Sequence, residues 1–288
     1  MKFQTLSIVA GTSACNANCP FCISKMTGRS CPNLDINWKN FDKACRLAQI
    51  NQITNVIITG KGEPTLFPEQ ISQYLKHLKK FNFPIVELQT NAIILEKEKE
   101  KYIPFLKEWY RLGLTFISIS IVDYLPSKNK QIYLSGKSNY INLSSLIKRL
   151  HGYGFSVRLS CTLIKGFVDS VSKVKQMIAI AQKWQVEHLT LRQVATPKVS
   201  ADPVAKTWTE KHKLSLKTLN QISTFFETKA CRLATFSYGG AIYDYQGQNI
   251  CFTNALTLKS KSEDIRQAIF FPDGHLRFDW QHQGAIIF

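Results

Sequence analysis

Apolar and polar positions along the 288 residues follow two alternating periods. Short β-branched runs bounded by turn residues recur between longer stretches whose apolar positions repeat every three to four residues. This is the pattern of parallel βα units. Strands are predicted at residues 5–10, 55–59, 85–89, 116–121, 156–164 and 188–193. Helices are predicted near 38–49, 68–81, 97–112, 140–153 and 172–184. Six strands with crossover helices fall short of the eight of a closed barrel. The expected fold class is α/β, a partial (β/α)6 barrel over residues 1–195.

Past Arg192 the pattern changes, and Thr196-Pro197 interrupts it. Residues 208–228 predict one helix. Two hairpins follow, 241–245 with 249–253 around Gln246-Gly247, and 270–271 with 276–278 around Pro272-Asp273-Gly274. Residues 196–288 are thus expected to form a C-terminal α+β extension, its helix and hairpins packing on the barrel. No internal repeat beyond the βα period and no low-complexity linker is visible.

A hydrophobic content of 44% with 20% charged residues is ordinary for a globular chain. No apolar run approaches the roughly 20 residues needed to span a bilayer. Eight cysteines without a secretory signal point to a reducing compartment, so a cytoplasmic location is expected. The 37 Lys+Arg against 20 Asp+Glu give a net charge of +17, which permits attraction to nucleic acid, nucleotides or other anions. The lysines are dispersed, however, and Glu96 to Lys101 alternates in sign like a solvated helix face. Nucleic acid stays possible as a partner, and a small anionic substrate is favoured.

The chemistry concentrates near the N-terminus. Cys15-x3-Cys19-x2-Cys22 places three thiols on one short loop, enough for three corners of a soft-metal or iron–sulfur site. A closed zinc site with Cys31 as fourth ligand is the alternative. Zinc motifs more often show two separated Cys-x2-Cys pairs, and this chain has one. A lipoprotein signal ending at Cys15 is excluded, because Thr12-Ser13-Ala14 lacks the leading apolar residue such sites prefer. A second motif, Gly60-Lys61-Gly62-Glu63-Pro64, directly follows the apolar run Val56-Ile57-Ile58. In parallel α/β sheets the loops after the strands share one rim. On that rim the cysteine loop, Glu63, Asn91, Ser120 and Lys165 are expected to converge.

In that order the two motifs resemble those of the radical S-adenosylmethionine (SAM) superfamily. The resemblance covers roughly residues 3–193 and implies the same six-strand partial barrel. It implies that Cys15, Cys19 and Cys22 hold three irons of a [4Fe–4S] cluster, the fourth iron taking the amino and carboxylate groups of SAM. Glu63, behind Gly60 and Gly62, would hold the SAM amino group, and Phe21 would shield the cluster on the adenine side. Asn91 and Ser120 fall where the family meets the SAM ribose or carboxylate. The stretch 157–166, with Arg158 and Ile164 as cofactor contacts, and Gln89-Thr90-Asn91 look closest to the GTP 3′,8-cyclase-like branch. Ala92 stands where glycine is usual, and Cys231 and Cys251 stand alone, so no second cluster is expected.

The implied chemistry is transfer of one electron from the cluster to SAM, giving methionine and a 5′-deoxyadenosyl radical that removes hydrogen from a substrate. A flavodoxin- or ferredoxin-like electron donor is implied with it. A nucleotide or phosphorylated metabolite is the first substrate class. Glycyl-radical activases, which share the short length and cysteine spacing, and peptide- or RNA-modifying members are the alternatives. The barrel begins almost at residue 1, which argues against peptide maturation. The RNA-methylating branch needs two further reactive cysteines, for which Cys161 and Cys231 are candidates. The competing reading makes Cys31, Cys45, Cys161, Cys231 and Cys251 buried structural thiols. A zinc module binding nucleic acid is the reading from another class.

Lys61, Asp123, Lys165 and Arg192 are candidate substrate contacts. An arginine inside a barrel needs an anionic partner, and for Arg158 and Arg192 the SAM carboxylate or a substrate phosphate would serve. Glu63 has the alternative of opening a helix ahead of Pro64. His275 and Arg277 either close over the barrel mouth or sit on a surface hairpin. Tyr238, Tyr243 and Tyr245 read as sheet packing.

Overall fold

The six predicted strands pair side by side in chain order in the computed structural model, which describes residues 2–28, 35–134, 139–236, 239–253 and 265–288. They are β1 (Leu6–Val9), β2 (Asn55–Thr59), β3 (Ile85–Thr90), β4 (Phe116–Ile121), β5 (Ser156–Leu163) and β6 (His188–Gln193), every neighbouring pair parallel. Between β1 and β2 run α1 (Ile23–Met26) and α2 (Trp38–Ile50), and α3 (Pro68–Leu78) leads to β3. Then α4 (Ile93–Lys97) and α5 (Lys99–Arg111) precede β4, and α6 (Pro126–Tyr133) and α7 (Leu143–Gly152) precede β5. Finally α8 (Val171–Lys183) precedes β6.

Side-chain alternation sorts the two faces of this sheet. On β5, Val157, Leu159 and Cys161 are buried in the main apolar core, which the helices share, while Arg158, Ser160 and Thr162 take the other face. The helices meet that core with one stripe each, as Phe41, Ala44, Cys45 and Ala48 do on α2. Side-chain caps fix the starts of three of them. Asn37 accepts from the Asn40 amide ahead of α2, Asn142 from Ser145 ahead of α7, and Ser170 from Lys173 ahead of α8.

The concave face is polar. Its deepest feature is an ion pair between Glu87 on β3, fully buried, and Arg158 on β5, at 2.5 Å, with Gln89 Nε2 donating to the same carboxylate at 2.9 Å. The expected solvated run Glu96 to Lys101 is only partly so. Lys101 and Glu98 do pair at the surface, but Glu96 turns in to meet Arg149 at 2.7 Å.

Beyond β6 the chain departs from the expected helix of 208–228. It forms α9 (Pro203–His212) and α10 (Leu216–Lys229), because Asp202 caps α9 directly ahead of Pro203 and Ser215 caps α10. Both hairpins form. β7 (Cys231–Thr235), β8 (Ala241–Tyr245) and β9 (Gln248–Thr253) are antiparallel, as are β10 (Ala268–Phe270) and β11 (Leu276–Arg277). The hairpins extend the sheet itself. β9 pairs parallel with β6, and β10 pairs parallel with β1, giving the order β11-β10-β1-β2-β3-β4-β5-β6-β9-β8-β7. An edge strand carries unpaired N–H and C=O groups, and each hairpin supplies them to one end of the six-strand unit.

Tyr243 and Tyr245 pack on Phe226 and Phe225 of α10, as expected of sheet residues. Cys45 and Cys161 are buried thiols and Cys251 is half-buried, but Cys231 is exposed, because every residue of the edge strand β7 is exposed. Cys31 and Tyr238 lie outside the described residues. Arg277 and His275 meet Asp273 on the last hairpin, at 2.7 and 3.4 Å.

Removing Glu87 would leave Arg158 without its carboxylate on the concave face. We expect Glu87→Ala to destabilise the fold toward the lower end of the roughly 3–5 kcal/mol seen for broken buried pairs, since Arg158 is partly exposed. Urea unfolding of the two proteins measures the difference. A loss below about 0.5 kcal/mol, the level of an exposed pair, would show that the pair does not brace the barrel.

Candidate active site

The loop after β1 and the loop after β2 meet through main-chain contacts. The Glu63 amide donates to the Ala14 carbonyl at 2.9 Å, which sets the second motif directly against the cysteine loop. Gly62 is required for that approach. A Cβ there would lie 2.0 Å from the Ala14 oxygen, and one at Gly60 would lie 3.0 Å from the Ala10 oxygen. The end of β3 joins the same junction. Asn91 Nδ2 donates to Asn16 Oδ1 at 2.7 Å and approaches the Cys15 sulfur at 3.9 Å. On the far side, the Asn18 amide donates to the carbonyl of Tyr133, the last residue of α6.

These loops border an open cavity of about 220 Å³. Cys15, Cys19 and Cys22 line it together with Phe21, Gly60, Gly62, Glu63, Asn91, Ser120 and Arg192, so ten of the residues singled out in the sequence share one space. Among the described residues no three His, Cys, Asp or Glu side chains converge on a single metal-ion position. The three thiols border this cavity. Burial first, then the neighbouring Cys22 and Cys15, push the Cys19 thiol well above its ordinary range. Thiolates gathered there call for positive charge, as a metal centre supplies.

Glu63 is buried, and its carboxylate accepts from four donors. Oε1 takes the Thr65 amide at 3.0 Å, the Thr65 hydroxyl at 2.6 Å and the Thr90 hydroxyl at 2.6 Å, and Oε2 takes the Asn91 amide at 2.8 Å. Desolvation still dominates and holds its pKa above the ordinary carboxylate value. No cation pairs with it among the described residues. Glu63 also begins a short 3-10 turn at Pro64–Leu66, so the helix-opening reading holds alongside any other role.

Arg192 faces the cavity from β6. Although half-buried, its guanidinium is held below its ordinary value, by desolvation first and by nearby Arg266 second. No hydrogen bond or ion pair engages it among the described residues. Tyr133, Gln89, Thr90, Thr162 and Gln193 also line the cavity and were not singled out as site residues by the sequence. Tyr133 escaped notice because its short helix carries no strong periodic signal. Thr162 was legible only by strand alternation from Arg158.

Five expected residues stand elsewhere. Lys61 is buried outside the cavity, donating to Thr27 Oγ1, the Gly28 carbonyl and the Trp280 carbonyl at 3.3, 3.1 and 2.9 Å. Arg158 is committed to Glu87 deeper in the barrel. Asp123 accepts from the Leu125 amide in the turn ahead of α6. Ile164 is buried in the apolar core, and Lys165 is exposed.

The family model described as the radical SAM superfamily matches residues 9–178. The chain belongs to the radical SAM superfamily. It is therefore an enzyme of the class that uses a [4Fe–4S] cluster and SAM. It is similar to "Probable dual-specificity RNA methyltransferase RlmN" of Chlorobium phaeobacteroides, at 27% identity over 192 residues, 61% of this chain and 50% of that protein. It is also similar to "GTP 3',8-cyclase" of Aquifex aeolicus, at 24% identity over 168 residues, 55% of this chain and 47% of the relative. The chain thus spans about half the length of these curated relatives.

Among solved structures, SuiB of Streptococcus suis bound to its precursor peptide SuiA superposes with a TM-score of 0.63. The identity is 14%, over 97% of this chain and 60% of that one. Methylornithine synthase (PylB) gives a TM-score of 0.50 and 13% identity, over 91% of this chain and 74% of the other. These likenesses establish the radical SAM fold. No helix among the described residues is long and apolar enough to cross a membrane.

The contact at Gly62 carries a prediction. In Gly62→Ala the new methyl meets main chain rather than a flexible side chain, so the cysteine loop must shift. Iron retained after anaerobic reconstitution should drop at least severalfold while far-UV circular dichroism is unchanged. Full iron loading of Gly62→Ala would show that the two loops need not touch.

Proposed function

We propose that Cys15, Cys19 and Cys22 ligate the cluster, that Glu63 receives the SAM ammonium group, and that Arg192 binds an anionic group of the substrate. The cluster, when bound, supplies the electron that splits SAM into methionine and the hydrogen-abstracting 5′-deoxyadenosyl radical. The carrying observation is the shared cavity, which brings together three thiols and, without a direct ion-pair partner among the described residues, a carboxylate and an arginine.

Each of these chain groups has a physical task. Burial raises the Glu63 pKa and so makes its ionised form costly, and an ammonium beside it would offset that cost through a charge-assisted hydrogen bond. Its four protein hydrogen bonds hold the carboxylate in one orientation, so little is lost on binding. Phe21 and Ile23 are among the apolar residues of the wall and help exclude water from the reacting groups. Arg192 offers a planar fork suited to carboxylate or phosphate, strengthened by its partly desolvated position. Asn91 and Ser120 remain as hydrogen-bonding groups for the SAM ribose or carboxylate.

A small anionic substrate is the reading these groups support. Modification of RNA through two protein thiols finds less support, because Cys161 is buried away from the cavity and Cys231 lies on the outer edge strand. Action on a peptide, or on a glycyl-radical enzyme, has no chain feature that favours it over the anionic substrate.

Two outcomes test this assignment. Replacing Cys15, Cys19 or Cys22 by Ala should abolish the brown absorption of the anaerobic protein and its dithionite-driven SAM cleavage; stoichiometric zinc without iron in the native protein would sink the ligand set. For Glu63→Gln, loss of the charge-assisted bond should cost about 1.5–3 kcal/mol, or roughly ten- to hundredfold in SAM affinity. Unchanged affinity in a fully iron-loaded Glu63→Gln protein would remove Glu63 from SAM binding.

Arg192 is tested by uncoupling. Arg192→Leu should retain at least half of the substrate-free SAM cleavage but lose turnover of the physiological substrate by about two orders of magnitude, the range of a lost charge-assisted contact. Equal loss of both activities would assign Arg192 to SAM instead.

A further inference from the structure

The outer wall of the cysteine loop is formed by the segment leading into α9. The Ala201 amide donates to the Met26 carbonyl of α1 at 2.8 Å, and the Trp208 ring lies 6.0 Å from Phe21, the residue between Cys19 and Cys22. Trp208 in turn stacks on His212 at 3.8 Å with a 9° interplanar angle. A contiguous row of aromatic rings therefore runs from the cluster-ligand loop into α9.

The surface over this row has an unusual composition. Val199 is 71% exposed, Val204 is 80% exposed and Ile23 is 39% exposed, although β-branched apolar side chains normally seek burial. Basic groups surround them. Lys25 on α1 reaches Asn18 Oδ1 at 2.6 Å, and Lys206 reaches the Lys198 carbonyl at 3.3 Å, which gathers the latter two lysines on one side of the segment. Lys211 and Lys213 follow at the end of α9. The carboxylates on the same elements are Asp202, whose Oδ1 is engaged in capping Ala205, and Glu210. The lysines outnumber them, so these two elements together present exposed apolar side chains and a net positive charge.

We propose that this face, comprising Ile23, Lys25 and the segment from Lys198 to Lys206, is the docking surface for a small acidic one-electron carrier protein. The inference rests on the cluster assignment above, and it adds where the electron enters. Apolar contact with a charged rim is the composition of a transient protein interface, and positive charge would steer an acidic partner to it. Docking here places the carrier on the outer side of Phe21, away from the substrate-facing Arg192. In the transfer itself one electron leaves the carrier's reduced flavin and enters the oxidised cluster. The flavin is left oxidised by one electron, and no bond is made or broken in the chain.

The test uses the iron-loaded protein, an acidic flavodoxin as probe, and two charge-reversed variants. Lys198→Glu/Lys206→Glu alters the proposed face, and Lys79→Glu/Lys80→Glu alters an exposed site ahead of β3, at the opposite rim. Binding is followed by fluorescence anisotropy, and flavodoxin-driven cluster reduction by stopped-flow absorbance.

The proposal expects saturable flavodoxin binding that weakens at least about tenfold in Lys198→Glu/Lys206→Glu, flattens in its salt dependence, and stays near the parental value in Lys79→Glu/Lys80→Glu. Val204→Ser should weaken binding without changing the salt dependence. Dithionite-driven SAM cleavage should be unaffected in all three variants. Equal weakening by both charge-reversed pairs, or no saturable binding of flavodoxin, overturns the docking site while the cluster assignment stands. Saturable binding of a polyadenylate RNA, lost in Lys198→Glu/Lys206→Glu when flavodoxin shows none, would make the face a nucleic-acid surface and also overturn it. Absence of dithionite-driven cleavage in the parent protein would instead defeat the cluster assignment itself.

Discussion

The arrangement of this site depends on one buried carboxylate. Glu63 sits where three segments must meet, the cysteine loop, the end of β2 and the end of β3. Its side chain gathers donors from two of them while its own amide donates to the third. A carboxylate taken out of water costs several kcal/mol unless its lone pairs are filled. The Thr65, Thr90 and Asn91 donors fill them, and so the geometry of the loops is over-determined. What those donors do not provide is a full opposite charge, as the raised pKa of Glu63 records. An ammonium group beside Glu63, as we propose, would supply that charge.

The barrel floor shows the complementary situation. Glu87 and Arg158 neutralise each other deep on the concave face, and neither is available to a ligand. Arg192, higher on the neighbouring strand and at the cavity wall, receives no such partner among the described residues. Arg158 is thus held in a direct ion pair, whereas Arg192 feels Glu87 only as one of its weaker electrostatic influences. Residue type alone could not draw that distinction, and the sequence reading places Arg158 at the cofactor, whereas the structure commits it to Glu87.

Strand boundaries were highly legible, because β2, β4 and β6 begin and end where the apolar β-branched runs do. Cysteine spacing and the glycine–glutamate loop located the site, since both carry chemistry that few other residues supply. Side-chain pairing was not legible. Whether a lysine between two glycines faces a cavity or carbonyls depends on segments more than 200 positions away, as Lys61 and Trp280 show. The α9 boundary was legible in principle, because Asp202-Pro203 is a strong helix-start signal, but the apolar period around Trp208 masked it. The joining of β9 to β6 and of β10 to β1 was not, since parallel register over such separations leaves no local mark. Ala92 is a mixed case. It adopts φ +57°, the left-handed conformation that explains why glycine is usual there, yet alanine holds it because the Thr90 hydroxyl accepts its amide and its methyl is buried.

The second motif can then be read position by position as four attachments. Gly60 lets the loop pass the Ala10 carbonyl, and Gly62 lets it touch Ala14. Glu63 binds the ends of β2 and β3 together. Lys61 does the remaining work, joining the end of α1 to the segment around Trp280 through three hydrogen bonds and lying 5.6 Å from the Trp280 ring. A buried ammonium satisfied by carbonyl and hydroxyl oxygens is expensive to expose and hard to move. The C-terminal residues are thereby tied to the loop that shapes the active site, in addition to closing the sheet edge at β1. A short motif whose glycines look like simple flexibility is in fact the crossing point of the N-terminal, central and C-terminal parts of the chain.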